Sequence, residues 1–508
     1  MKVLTVERMR EVDRRTMELG IPGIVLMENA AHRVVEFLVR RFAPLESQRI
    51  VVLCGKGNNG GDGLAIARQL HTRFRPLALD VVLLAAPEEL KGDAAANLRM
   101  LGAAGCPVLP AIPERARHAT LVLDALLGTG ISGPAAGRML EGIREIDSGF
   151  PVAKVVAVDI PSGMAGDSAE PLGETARADA TVTFTAPKPA QVLPPNCDRV
   201  GELVVGAIGS PEELYQDAWL SLVEPKMFGA LLGPRPRAGH KGTFGHVLVV
   251  AGSRGKSGAA AMAGIAALRA GAGLATVASA ASAIPAIAAH APELMTEPLA
   301  ETGTGAILPD TDLKAVAQGK TVIAIGPGLG RHAGTDTLVT TAAEQLAQPM
   351  VLDADALGAE VRGTPGRLRV LTPHPGEMAR IAGRTVAEIL QDRVAAARTL
   401  ATARQVTVVL KGQRSLIAFP DGRVWINPSG TPAMGKGGSG DILTGLIAGF
   451  LAQFPAQPDE AVAAAVYLHG LAGELGARAL GEKCLLATDL LRYLPQAMEE
   501  CAGVPGVF

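Results

Sequence analysis

The sequence predicts an α/β protein of two domains, each a mostly parallel β-sheet covered by helices. Three observations predict it. Short apolar runs alternate with helical segments, as in parallel strands joined by crossover helices. The alternation runs twice, with a lapse between the two series. The 508 residues also exceed one core; at roughly 100–200 residues per domain, two to four domains are allowed.

In chain order, helices are expected over 5–19 and 24–42, followed by the strand runs RIVVLC, LDVVLLAA, TLVLDALL, AKVVAVDI and ATVTFTA. The pattern lapses over 211–240, a stretch with four prolines and no sustained strand. It restarts with GHVLVVAG, GLATVAS, KTVIAIG, PMVLDAD, RVLTPHP, VTVVLKG and SLIAF. The expected division is a first domain over 1–215, a linker over 216–234 and a second domain over 235–508. The halves share an architecture without a residue-level repeat.

Composition narrows the function. A hydrophobic content of 48% supports buried cores, and a net charge of −2 gives no electrostatic footprint for nucleic acid. Aromatic residues, 3% of the chain, leave few platforms for stacked bases. Five scattered cysteines without a CxxC pair fit a reduced, cytoplasmic chain without structural zinc. The N-terminus carries charges throughout, unlike a secretory signal. The Ala-rich stretch 258–292 is broken by Arg269, glycines and Pro285, so no membrane partner is expected.

In open α/β sheets ligands bind outside the carboxyl ends of the strands. The first such place is VVLCGKGNNGGDG, where Gly55, Gly57 and Gly60 satisfy G-x-G-x-x-G. A dinucleotide oxidoreductase also needs an acid at the end of the next strand. Here that strand ends in Ala85-Ala86-Pro87, a poor match, while Asn58, Asn59 and Asp62 add oxygens to the loop. Asp124 and Asp159 end two later strands, and Gly128, Thr129, Gly130, Ile131, Ser132 and Gly133 offer further backbone donors. Asn59, Asp124 and Ser162 supply oxygen only, the donor set of a hard cation.

GNNGGDG, DALLGTGISG and DIPSG resemble the NAD(P)H-hydrate epimerase family over most of 1–215. The resemblance implies a Rossmann-like α/β sandwich. It implies that Asn58, Asn59, Gly60, Gly61 and Asp62, the run from Gly128 to Pro134, and Asp159 hold the hydrated nicotinamide nucleotide. It further implies potassium at Asn59, Asp124 and Ser162. The reaction exchanges the R and S hydrates at C6 of the ring and needs a group that moves a proton, for which Asp159 is the candidate. The alternative, Asp159 as a carboxylate on a ribose hydroxyl, stays open.

The second series contains a decoy. Gly255-Lys256-Ser257 looks like the end of a P-loop, but the glycine required at position 250 is Val250. The stronger signal is NPSGTPAMGKGGSGDILTGL, where glycines precede Asp441 and an apolar helical run. Amides at a helix N-terminus favour an anion, so this stretch reads as a phosphate cradle. A glycine turn with an aspartate cap is the plainer reading.

With IGPGLG, VLDADAL, LTPHPGE and VVLKGQRS, this stretch resembles the ADP-dependent NAD(P)H-hydrate dehydratases, of ribokinase-like fold, over roughly 235–500. The resemblance implies a hydrate site at Ala259, Gly328, His374 and Asp441. It places the adenosine phosphate at Lys411, Gly412, Gln413, Arg414, Ser415 and Gly440. Asp441 would take the proton from the attacking hydroxyl, with Mg²⁺ neutralising charge. Taken alone, His374 between Pro373 and Pro375 reads as a turn residue and Lys411 as a solvated lysine. Glu377 is a chemical candidate for a magnesium ligand. The whole implies a bifunctional enzyme acting on NADHX and NADPHX with ADP, K⁺ and Mg²⁺, expected as a homo-oligomer. The rivals are a small-molecule kinase and a nucleotide-binding scaffold.

Overall fold

The run RIVVLC becomes strand β1 (Arg49–Cys54), buried from Ile50 onward. Ile50, Val52 and Cys54 enter one apolar cluster, and Val51 and Leu53 another. A strand presents alternate residues to opposite faces, so a run apolar throughout belongs in a sheet covered on both sides. The computed structural model describes residues 1–503. Two compact units divide the chain, Met1–Leu220 and a second beginning at Ser221.

In the first unit β1 is joined by β2 (Ala78–Leu83), β3 (Val108–Leu109), β4 (Leu121–Ala125), β5 (Lys154–Val158), β6 (Ala180–Phe184) and β7 (Glu202–Gly206). Their order is β3-β2-β1-β4-β5-β6-β7, and every neighbouring pair is parallel. Helices Gly23–Phe42 and Asn58–Arg73 cover one face, and helix Gly137–Ser148 packs on the other. The strand order reverses between β1 and β4, which is where such a sheet opens a crevice.

The second sheet comprises β8 (Leu220–Leu222), β9 (His246–Val250), β10 (Leu274–Ala280), β11 (Met295–Leu299), β12 (Val322–Ile325), β13 (Met350–Leu352), β14 (Arg369–Leu371), β15 (Thr407–Leu410), β16 (Leu416–Ala418) and β17 (Val424–Ile426). Its order is β11-β10-β9-β12-β13-β14-β15-β16-β17-β8. From β11 to β15 all pairs are parallel, and β15, β16 and β17 run antiparallel. Here the order reverses between β9 and β12. Helix Ser439–Gln453 lies against helix Ser257–Ala270, where a Cβ on Gly445 or Gly449 would strike the carbonyl of Ala263 or Ala267.

The α/β architecture expected from the alternation is the one adopted. Three details differ. Residues 216–234, expected as a linker, contain β8 and two short turns that bury Phe228 and Leu231 in the second unit's core. Strand β11, Met-Thr-Glu-Pro-Leu, escapes an apolar-run reading because it is an exposed edge, where proline and charge are tolerated. The stretch Asn58–Asp62, expected as a loop, is the first turn of a helix. Among the described residues no helix is long and apolar enough to cross a membrane.

Candidate active sites

The chain leaves β1 through Gly55–Gly57 and enters helix Asn58–Arg73 at once. Only glycine allows this: a Cβ on Gly60 would collide with the Gly55 carbonyl, and one on Gly55 with the Leu126 carbonyl. The ends of β1 and β4 are thereby drawn together. A cleft of about 680 Å³ opens above them, bordered by Asn58, Asn59, Asp62, Asp159 and the segment from Gly128 to Ile131. Gly60 and Gly61 stand behind it, Gly61 facing Met27 and Ala94. Ser132, Gly133 and Pro134 lie outside the lining, with Pro134 packed on Gly173.

Asp124, at the end of β4, is fully buried. Its Oδ2 accepts from the Ser162 amide at 2.8 Å and its Oδ1 from the Ser162 hydroxyl at 2.5 Å. Burial pushes the Asp124 carboxyl up to about 6, against these hydrogen bonds. Asn59 Nδ2 donates to the Leu127 carbonyl at 3.1 Å, while Asn59 Oδ1 is buried without a partner. A buried acceptor left unpaired is costly, and a cation would satisfy it. One carboxylate with amide, hydroxyl and carbonyl oxygens suits a hard, singly charged ion. Among the described residues no group of three or more His, Cys, Asp or Glu could hold a metal.

Asp159 follows β5 with φ of +64°, in the left-handed region that aspartate tolerates better than most side chains. Gln191 Nε2 holds its carbonyl at 2.6 Å. Lys188, fully buried, donates to Asp159 Oδ1 at 2.5 Å and to Thr183 Oγ1 at 2.8 Å, and Thr183 donates to the same Oδ1 at 3.0 Å. The sequence reading missed Lys188, whose setting between Pro187 and Pro189 looks like an ordinary loop. It also missed Asp13, on helix Val6–Glu18, which borders the same cleft. Burial pushes Asp13 up to about 6 and Asp62 well above the carboxylate range; Asp159 adds to both effects and Lys188 opposes them.

In the second unit Gly438, with φ of +97°, caps helix Ser439–Gln453, so Ser439, Gly440 and Asp441 form its first turn. A Cβ on Gly440 would lie 3.3 Å from Lys411 Nζ and 3.6 Å from Asp353 Oδ2. Lys411 donates to Asp353 Oδ1 at 2.8 Å, and Thr444 Oγ1 donates to Asp353 Oδ2 at 2.9 Å. Burial pulls the Lys411 ammonium down, but Asp353 and Glu377 outweigh it and hold the charge above its ordinary value. Asp441 is pushed up to about 6 by burial first, then by Asp353, with Lys411 opposing. Lys411 is therefore a partly buried cation fixed by Asp353 and not a freely solvated lysine.

The remaining expected residues fall around this turn. Gly328 and Ala259 meet at the β9–β12 reversal, where a Cβ on Gly328 would stand 3.3 Å from Ala259 Cβ. Lys411 to Ser415 form the turn between β15 and β16, with Ser415 Oγ donating to the Gly412 carbonyl at 3.0 Å and Arg414 reaching the Pro428 carbonyl at 3.0 Å. Arg393 holds the Gln413 carbonyl at 2.6 Å. His374 caps helix Pro375–Ala382, its Nδ1 accepting from the Gly376 amide at 3.0 Å. Glu377 Oε2 accepts from the His374 amide at 2.8 Å and stands 3.8 Å from Lys411, so it is already engaged and fits poorly as a magnesium ligand. Two residues went unread. Asp353 anchors Lys411, and His469, pulled down to about 4 by burial, pairs Nε2 with the Ser439 carbonyl at 3.0 Å.

Comparison with known proteins adds to this geometry. Residues 247–496 match the family described as NAD(P)H-hydrate dehydratase, and 23–190 the family described as YjeF-related protein N-terminus. A bifunctional NAD(P)H-hydrate repair enzyme of Moorella thermoacetica is 42% identical, over 98% of this chain and 97% of its own. One from Thermofilum pendens is 37% identical, over 98% and 96%. The solved ADP/ATP-dependent NAD(P)H-hydrate dehydratase of Bacillus subtilis, co-crystallised with ATP/Mg²⁺, is 36% identical with a TM-score of 0.50. It covers 55% of this chain and 98% of its own.

Proposed function

The chain belongs to the bifunctional NAD(P)H-hydrate repair enzymes, and from that membership we infer how its two halves divide one repair task. It is an enzyme with an epimerase half and a dehydratase half, the latter of ribokinase-like α/β fold. In the first cleft Asn58, Asp62 and the segment from Gly128 to Ile131 embrace the hydrated nucleotide. Asp159, paired with Lys188, accepts the C6 hydroxyl proton during R–S exchange. Potassium at Asn59, Asp124 and Ser162 fits the orphaned Asn59 Oδ1 and would supply a positive charge beneath the bound nucleotide.

In the second half a nucleoside diphosphate is the phosphoryl donor, and the C6 hydroxyl of the S hydrate is the acceptor. Asp441 takes the hydroxyl proton, and Lys411 with the amides of Gly438 to Gly440 steadies the phosphoryl oxygens. Phosphorylation turns a poor leaving group into a good one, and elimination of phosphate restores the ring double bond. AMP, phosphate and NAD(P)H result. Magnesium would supply charge neutralisation while held chiefly by phosphate oxygens and water, consistent with the engagement of Glu377.

The observation that carries this reading is the close approach of Lys411 and Asp353 to the side-chain-free Gly440, one residue before Asp441. Reduced-nicotinamide absorbance from hydrated NADH tests it, with ADP or ATP at matched Mg²⁺. Recovery of absorbance, faster with ADP, is expected. Faster turnover with ATP would overturn the donor assignment. Nucleotide hydrolysis without recovery of NADH would overturn the dehydratase reading in favour of a kinase.

A further inference from the structure

One wall of the first cleft is built by residues that neither the motifs nor the matched residues 23–190 include. Helix Val6–Glu18 precedes that region, yet it closes one wall of the cleft through Val6, Met9, Arg10 and Asp13. Asp13 is half-buried, and its Oδ1 is enclosed by protein without a hydrogen-bond partner. A carboxyl on the wall of a cleft with one oxygen buried and unpaired lacks a structural explanation, since a carboxylate kept for stability is hydrogen-bonded or paired.

The charged groups lining the same cleft are Asp62 from helix Asn58–Arg73, Asp159 after β5 and Lys188 after β6, Arg10 on its own helix, and Lys56, Glu89 and Asp93. One ammonium thus serves three carboxyls, and its hydrogen bond goes to Asp159. Asp159 is the carboxyl that holds the ion pair. Asp13 and Asp62, without a cation of their own, are disposed to keep a proton. Asp62 is nearly sealed at 8% exposure, whereas Asp13 is half-buried on the cleft wall.

We propose that Asp13 is a second catalytic residue of the epimerase half, the general acid that works opposite Asp159. The proposal rests on the epimerase reading above. The chemistry requires two groups. As Asp159 removes the proton from the C6 hydroxyl, the C–O bond becomes a carbonyl and the C6–N1 bond breaks. Its electron pair moves to the ring nitrogen, and the Asp13 carboxyl delivers a proton there. Rotation about C5–C6 presents the other carbonyl face. The ring nitrogen attacks it, returns its proton to Asp13, and the new hydroxyl recovers a proton from Asp159. No oxidant or further reactant is consumed. The raised affinity of Asp13 for its proton agrees with this order, because burial pushes it up to about 6.

The test uses the full chain and the separated R and S hydrates of NADH. Asp13→Asn is expected to slow R–S exchange, followed chromatographically without ADP, by ~10²-fold or more. Nucleotide-dependent dehydration of the S hydrate, the other half's reaction, should be unchanged. Asp13→Glu should recover part of the exchange rate. In the parent, exchange should decline as pH rises past the Asp13 value, and Asp13→Asn should lack that alkaline decline. Parental exchange in Asp13→Asn, with exchange lost in Asp159→Asn, would overturn this proposal alone. So would slowed exchange with the alkaline decline retained, the mark of a positioning residue. Parental exchange in both variants would overturn the underlying assignment of the cleft.

Discussion

Lys188 Nζ stands 2.5 Å from Asp159 Oδ1, and the lysine side chain is 1% exposed. A buried pair broken on one side leaves an uncompensated charge, at a cost of about 3–5 kcal/mol. Lys188→Met keeps the apolar stem and removes the cation. We expect a lower melting temperature and R–S exchange reduced by ~10²-fold, with dehydration of the pure S hydrate preserved. Exchange at the parental rate would show that Asp159 needs no partner to work.

Asp441→Asn should separate activity from stability. The variant loses the base, so dehydration should fall by ~10²-fold while R–S exchange is untouched. Its effect on stability has the opposite sign. The folded-state value of Asp441 is raised, from 3.8 to about 6, so its favourable contribution is fully present below the lower value and is lost as pH rises through the upper. At neutral pH the buried carboxylate is a cost, and the variant should melt above the parent there. Melting curves across that window check it: the advantage should shrink as pH falls toward 4. In the parent, dehydration should decline below about 6 as the base becomes protonated.

Replacing potassium by sodium should raise the KM for the R hydrate, since Asn59 and Asp62 share one helical turn. Asp124→Ala should produce a similar defect that added potassium does not correct, because an oxygen ligand is gone. Initial rates at varied salt decide it. Full correction by potassium would place the ion elsewhere.

The segment 216–234 gives a stability prediction. A fragment beginning at residue 235 lacks β8, Phe228 and Leu231, and loss of one buried Phe side chain alone costs about 3–5 kcal/mol. Urea unfolding should place it well below a fragment of residues 221–508. Equal midpoints would make the segment a mere tether.

Much of this was legible because the sheets are parallel. Strands buried on both faces are written as apolar runs, and RIVVLC is a strand to the residue; Asp124 and Asp159 stood out because an acid ends such a run. Edge strands escaped, since Met295–Leu299 is half exposed and carries Glu297 and Pro298. Lys188 and Asp13 escaped for another reason. Their partners lie on other elements, so nothing beside them in the sequence marks them as buried or aimed at a cleft. Lys411 was found through its motif, but its union with Asp353, 58 residues away, belongs to the sheet alone.

The glycines at 445 and 449, where two helices touch backbone to backbone, have a consequence for how damage to this enzyme would present. The helix they hold begins at Ser439, with Gly440 and Asp441 in its first turn. A methyl group at either position would act as a wedge, tilting the helix and shifting the turn that carries Gly440 and Asp441. Such a lesion would lie more than a turn of helix from the chemistry and touch no ligand. In an assay it would look like an active-site defect, and in a melting curve like a packing defect. A variant showing both together points to this seam.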